Sequence, residues 1–289
     1  MFQDILVTGL VNGSAYALLA IGFSLIFGVA RIVNIAHTAF YMLAAYCLYW
    51  LLLQARLGVP LAGALSVILV TLLSVACYRL VIEPVRHHEA AVLIATIALA
   101  LIFQESMLRI FGGEYRGIPS AIEGVANVFG MAIPWQRLLI LIVAGAMLAA
   151  TWFLLYRTRL GLAIRATAND LEVANLMGMN VHRVAMITVA ISVGLAAIAG
   201  VSVAPVFVVD PFMWLAPLVT VLSIVVLGGL GSISGSIIGA LVIGYVEAIT
   251  VFALPQGAFL KGAVALSIMV IVLLVRPEGL FGVAFEEER

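Results

Sequence analysis

The sequence predicts an all-α, polytopic integral membrane fold of about eight or nine transmembrane helices, with 1–289 forming a single transmembrane domain. Three observations carry this reading. Only 10% of the 289 residues are charged and 65% are hydrophobic, whereas a soluble domain carries about a quarter charged residues. The mean hydropathy is +1.26, so the bilayer must act as solvent for most of the chain. The apolar residues also fall in runs of about 20, the length a helix needs to cross a hydrocarbon core.

The start, Met1-Phe2-Gln3-Asp4, has no positive charge ahead of the first apolar run. A cleaved signal peptide needs that charge, so the first run is expected to remain as a membrane helix. Expected spans are 5–29, 38–54, 59–79, 91–109, 137–156, 184–208, 232–253 and 259–275. A ninth run, 216–229, is short and ends in Gly228-Gly229. It reads as a short span or a half-helix, and broken helices in transporters line cavities.

Positive charge orients the spans. One set of loops holds Arg31, Arg79, Arg86, Arg157, Arg159, Arg165, Arg183, Arg276 and Arg289, nine of the fourteen cations. The other set holds the remaining five, Arg56, Arg109, Arg116, Arg137 and Lys261. The richer set is therefore expected to be cytoplasmic. Nine spans put the N-terminus outside; eight put it inside. The loop 110–136, with Gly112, Gly113, Gly117, Pro119 and Pro134, becomes the main external loop.

Several chemistries are disfavoured. Net charge is zero, with no basic run for nucleic acid. Cys47 and Cys77 sit in apolar segments and read as packing residues. His87 and His88 are adjacent, without metal-ligand spacing, so neither a metal nor another cofactor is expected. The carboxylates avoid the centres of the spans, unlike those of ion-coupled carriers. Glu105 has Arg109 one turn on and is expected to pair with it. Glu247 sits about 15 residues into its span, and its partner is not visible in sequence. The only lysine, Lys261, is followed by Gly262, so there is no P-loop. If transport is driven by ATP, the ATPase is another polypeptide.

The segment 157–183, RTRLGLAIRATANDLEVANLMGMNVHR, is too polar to span and too long for a tight turn. Asn169 or Asp170 could cap a short helix, with Leu171, Ala174, Leu176 and Met177 as its apolar side. Such a helix is either a docking surface for a motor subunit or an interfacial helix on lipid head groups.

Gly231, Gly235 and Gly239 recur every four residues, and Gly9 and Gly13 repeat the spacing. This pattern lets helix backbones approach closely. Asn12 and Tyr16 share a helix face, and Ser232, Ser234 and Ser236 open the 232–253 helix. They must face other helices or a water path. Asn34 and His37 join Asn12, Tyr16, Ser232 and Ser234 as candidate path residues. For His37, packing at the end of a helix hairpin is the alternative. The stretches NGSAYALLAIGFSLIFG and SGSIIGALVIGYVEA are faintly alike, which would suit an internal repeat.

Taken together, GLVNGSAYALLAIGFSLIFGVARIVNIAHTAFYMLAAY at 9–46, RTRLGLAIRATANDLEVANLMGMN, LGGLGSISGSIIGA at 227–240 and the closing RPEGLFG at 276–282 resemble the permease subunits of branched-chain amino acid ABC importers. The resemblance covers nearly the whole chain in order. Close relatives in that group handle urea, amides and small carboxylates. It implies a second related permease subunit, two ATP-binding subunits and an external solute-binding protein, in a bacterial cytoplasmic membrane. It also implies that Asp170, Glu172, Ala174, Gly178 and Asn180 belong to the loop that engages the ATPase. Two positions depart from the family pattern: Thr38 and Ala39 follow His37 where Gly and an acidic residue are common, and Glu83-Pro84 stands where Arg-Pro is common. The rival readings are a secondary carrier, a passive channel for small solutes and an intramembrane enzyme. No nucleophile–base pair supports the last.

Overall fold

A computed structural model describes residues 2–128, 131–276 and 278–281. The apolar runs form helices because a backbone in lipid must satisfy its own polar groups. The chain runs α1 (Phe2–Ala30), α2 (His37–Leu53), α3 (Val59–Cys77), α4 (Glu89–Phe111), β1 (Val125–Val128), β2 (Met131–Pro134) and α5 (Trp135–Arg157). It continues through α6 (Arg159–Asn169), α7 (Leu171–Leu176), α8 (Val181–Val203), α9 (Leu215–Gly228), α10 (Ile233–Ala253) and α11 (Gly257–Val275). Among the described residues, seven helices are long and apolar enough to cross a membrane. The 17-residue α2 and the 14-residue α9 are shorter apolar helices. Each of the nine expected runs thus holds a helix.

The boundaries differ in two places. The third span does not stop near 79: it continues through a π-helical turn, Tyr78–Ile82, and a 3₁₀ turn, Glu83–Val85. Pro84 then ends it, because proline cannot continue a helical ladder. The span expected at 184–208 ends as α8 at Val203, and the chain turns irregularly through 204–214 before α9. Val209 and Trp214 of that connection are buried, while Phe207, Val208 and Phe212 are exposed. The 110–136 loop also holds a short antiparallel pair of strands, β1 with β2, that the all-α reading did not foresee.

Burial sorts the helices. Every residue of α2 from His37 to Tyr46 is buried, so α2 is the central helix. It packs against α8 and α3, while α1 packs along α10 and α8. The outward sides of α3, α4, α5 and α11 expose Leu72, Ile94, Ile142 and Leu274. Such faces are a liability in water and suit lipid.

The most extensive crossing is α1 against α10, which run antiparallel. Gly9 lies under the Tyr245 ring and Gly13 against Ala240 and Leu241. A Cβ at Gly244 would sit 2.6 Å from Gly13 Cα. Toward the other end, the Ser236 hydroxyl donates to Ser24 Oγ at 3.0 Å. The described helix ends gather at two opposite ends of the bundle. Arg31, Glu89, Tyr156, Arg165 and Ser232 gather at one end. Tyr49, Phe111, Arg116 and Val209 gather at the other.

Candidate translocation and coupling site

The segment 157–183 folds as two short helices, not one. Thr158 opens α6, its Oγ1 accepting from Gly161 N at 3.0 Å. Gly161 is needed there, since a Cβ would stand 2.1 Å from the Leu154 carbonyl oxygen. Asp170 opens α7, its Oδ1 accepting from the N–H groups of Glu172 and Val173 at 2.9 Å each. Gly178 closes α7 with φ +81°. There Gly178 N donates to Asn175 O at 3.0 Å and Met179 N to Ala174 O at 3.1 Å, the paired bonds of a Schellman stop. Asn180 then caps α8 through a 3.0 Å bond from Arg183 N.

This places the five residues named for ATPase coupling on one compact turn. Ala174 is buried beneath it and Glu172 is exposed. Leu176 and Met177 at its tip are 85% and 78% exposed. His182 Nδ1 pairs with Glu83, tying the start of α8 to the end of α3. A cavity of about 620 Å³ opens between these elements, lined by Tyr78, Arg86, Leu171, Asn175 and His182.

The six candidate path residues fall in different parts of this structure. Ser232 and Ser234 border a cavity of about 1110 Å³ at the same end of the bundle, beside Arg31, Arg165 and Tyr156. Ser232 also caps α10, accepting from Gly235 N at 3.1 Å. Arg165 is fixed 4.9 Å over the Tyr156 ring, with its Nε on the Leu155 carbonyl at 3.1 Å. Asn34 and His37 are packed inside the bundle. His37 Nε2 lies 3.1 Å from Leu19 O, and its ring meets Phe23 edge-on. Asn12 is half-buried on α1.

Tyr16 reaches a partner that sequence did not reveal. Its hydroxyl donates to Glu247 Oε2 at 2.9 Å, and Thr220 Oγ1 donates to Glu247 Oε1 at 3.1 Å. Three helices, α1, α9 and α10, meet at this carboxylate. The expected pair of Glu105 with Arg109 does not form. Glu105 accepts instead from Gln104 Nε2 at 3.2 Å, while Gln104 Oε1 takes the Trp214 indole N–H at 3.0 Å. Both Glu105 and Arg109 are exposed, where holding two long side chains together gains little.

Of the glycines, Gly235 faces Gly228 of α9 and Gly239 faces Ile224. Gly231 is not on α10: it lies in the preceding turn at φ +81°. The spacing of four therefore does not define one helix face there. Gly244, absent from the expected set, makes the closest approach to α1. Among the described residues, no group of three or more His, Cys, Asp or Glu is placed to hold a metal.

At the opposite end, Arg116 donates through Nη1 to Tyr49 Oη at 2.8 Å and through Nη2 to the Phe111 carbonyl. Its backbone pairs with Val209. The 110–136 loop is thereby pinned to the ends of α2 and α4 and to the 204–214 connection. No spacing signal could have found these contacts.

The helical bundle and its exposed apolar shell define a multi-pass membrane protein. Residues 5–273 match the family model described as branched-chain amino acid transport system, permease component, and the chain belongs to that family. It is 32% identical to the high-affinity branched-chain amino acid transport system permease protein BraD of Pseudomonas aeruginosa, over 96% of this chain and 94% of that one. It is 31% identical to the permease protein LivH of Escherichia coli K12, over 97% and 96%. A probable LivH of Methanocaldococcus jannaschii is 26% identical over 98% and 93%. In fold it is similar to a chain of the solved PsaBC from Streptococcus pneumoniae in complex with Fab, with a TM-score of 0.51 over 96% of this chain and 92% of that one. At 17% identity that likeness speaks to fold alone.

Proposed function

We propose that this chain forms half of the membrane pore of an ATP-driven, binding-protein-dependent importer for branched-chain or other hydrophobic amino acids, in a bacterial cytoplasmic membrane. The observation that carries the reading is its end-to-end similarity to permeases named for that transport. A second related permease completes the pore. Two separate ATP-binding subunits supply the energy, in line with the missing P-loop. An external solute-binding protein delivers the cargo.

In this reading the α6–α7 turn is cytoplasmic and meets the ATPase. Asp170, Gly178 and Asn180 fix its shape, and Glu172, Leu176 and Met177 provide its contact surface. The loop 110–136 is external. The permease needs only a transient site, because each tenfold of affinity adds about 1.4 kcal/mol to release. Thr38 and Ala39, the positions that leave urea, short amides or small organic acids as alternative cargo, are fully buried in the bundle.

The test is to purify the chain with its co-expressed neighbours and reconstitute the complex in vesicles. Leucine, isoleucine or valine uptake should need both ATP and the binding protein. Uptake without the partner, micromolar ATP binding by this chain alone, or transport of urea but no amino acid would overturn the reading.

A further inference from the structure

Glu247 is the only Asp, Glu, Lys or Arg among the described residues to be buried, at 1% exposure. It is the fifteenth residue of the 21-residue α10, so it lies well inside the membrane-spanning length. Its two hydrogen-bond donors are the neutral hydroxyls of Tyr16 and Thr220. Among the described residues no cationic nitrogen lies within 4.0 Å of it; Lys261 of α11 acts on it only at longer range. A carboxylate in this position is costly, and an apolar residue of similar volume packs a bundle more cheaply. Hydroxyl donors satisfy its oxygens without neutralising its charge.

The location fits a group that waits for a cation. Thr220 sits on α9, whose 14 residues give about 21 Å of helix, short of the roughly 30 Å hydrocarbon core. The irregular stretch 204–214 leads into α9 from the end of the bundle where Val209 pairs with Arg116. Tyr16 sits on α1, the helix that α10 grips through Gly13 and Gly244. Neither inner-end cavity reaches Glu247, so the three helices are closed around it in this structure.

We infer that Glu247 is the specificity-determining residue of the passage that receives the ammonium group of the amino acid cargo. Tyr16 and Thr220 are its resting donors, displaced as α9 shifts from α1 and α10. An ammonium group brings three N–H donors and a positive charge, which replaces both hydroxyls and supplies the missing charge. The inference rests on the amino acid reading above.

The test uses the complete complex, with binding protein and ATP, in proteoliposomes. Leucine uptake by the wild-type complex checks the amino acid reading by itself. Given that uptake, Glu247→Gln keeps the size and an accepting oxygen but loses the charge, and should lower leucine uptake at least tenfold. Glu247→Asp keeps the charge and should retain a third or more. Equal uptake in Glu247→Gln and wild type, or equal losses in both variants, overturns the inference while leaving the transport reading intact. Should Glu247→Gln fail to assemble, the wild-type complex still decides. A hydrophobic carbodiimide, which takes the protonated and unoccupied carboxyl, should label Glu247 more slowly when leucine saturates the cycling complex than when leucine is absent, read by mass spectrometry of the α10 peptide. Equal labelling in both states overturns the inference.

Discussion

The Tyr16 hydroxyl meets the Glu247 carboxylate at 2.9 Å across 231 residues of chain, and Thr220 completes the junction from a third helix. Interhelical hydrogen bonds in membranes average about 0.6 kcal/mol, whereas bonds to charged groups reach about 1.5–3 kcal/mol. A double-mutant cycle of Tyr16→Phe and Glu247→Gln, read by unfolding in detergent, should give a coupling nearer the second range. Coupling near zero would mean that the two side chains touch without holding the helices together.

The glycine contacts predict a sharp contrast among alanine substitutions. A Cβ at Gly235 would lie 1.9 Å from Gly228 O, and one at Gly244 would lie 2.6 Å from backbone atoms of Gly13. Backbone cannot move aside as a flexible side chain can. Gly235→Ala and Gly244→Ala should each cost at least 1–3 kcal/mol, the usual range for overpacking, taken here as approximate. Gly145→Ala meets nothing within 4 Å and should be neutral or slightly stabilising. Thermal unfolding of the purified protein in detergent separates the two groups, and equal melting temperatures would refute the crossing geometry.

For topology, Tyr115 and Met177 serve as probes, being 79% and 78% exposed at opposite ends of the bundle. Cysteines at these positions, in a background lacking Cys47 and Cys77, should label from opposite sides of the membrane. Tyr115→Cys should react from outside. Labelling of both from one side would reverse the charge-based orientation.

The α7 turn should govern coupling to the ATPase. Asp170→Ala removes the helix cap, at about 1 kcal/mol. Gly178→Asp puts a side chain at φ +81°, where an L-residue is strained by about 1–2 kcal/mol. Glu172→Lys reverses an exposed charge. Each should insert normally yet lower the number of substrate molecules moved per ATP. That ratio, measured in proteoliposomes, would stay at the wild-type value if the turn merely lies on lipid.

Sequence reading went furthest where one physical cause dominates. Lipid demands apolar runs of a set length, so all nine were visible. Asp170 was visible as a cap because capping is local. Contacts fixed only by three-dimensional packing stayed hidden: Gly244 against Gly13, Arg116 against Tyr49, and the hydroxyl partners of Glu247. Spacing misled twice. Glu105 and Arg109 had the right interval, but the neighbour Gln104 supplied the donor, and Gly231 kept the interval of four while falling off the helix. The β1–β2 strand pair and the α6 helix were missed because short elements carry little periodicity.

The antiparallel seam between α1 and α10 has a consequence in time. During synthesis α1 enters the bilayer first, while the residues that fill its glycine face lie some 231 positions later. At about 5–20 residues per second, α1 waits roughly 10 to 45 s for that partner. Over this interval Gly9, Gly13 and Tyr16 must be sheltered by lipid, by the insertion machinery or by temporary neighbours such as α2. The last steps of translation therefore close the bundle, and any pause before α10 emerges prolongs the stage at which the nascent protein is most open to misassembly.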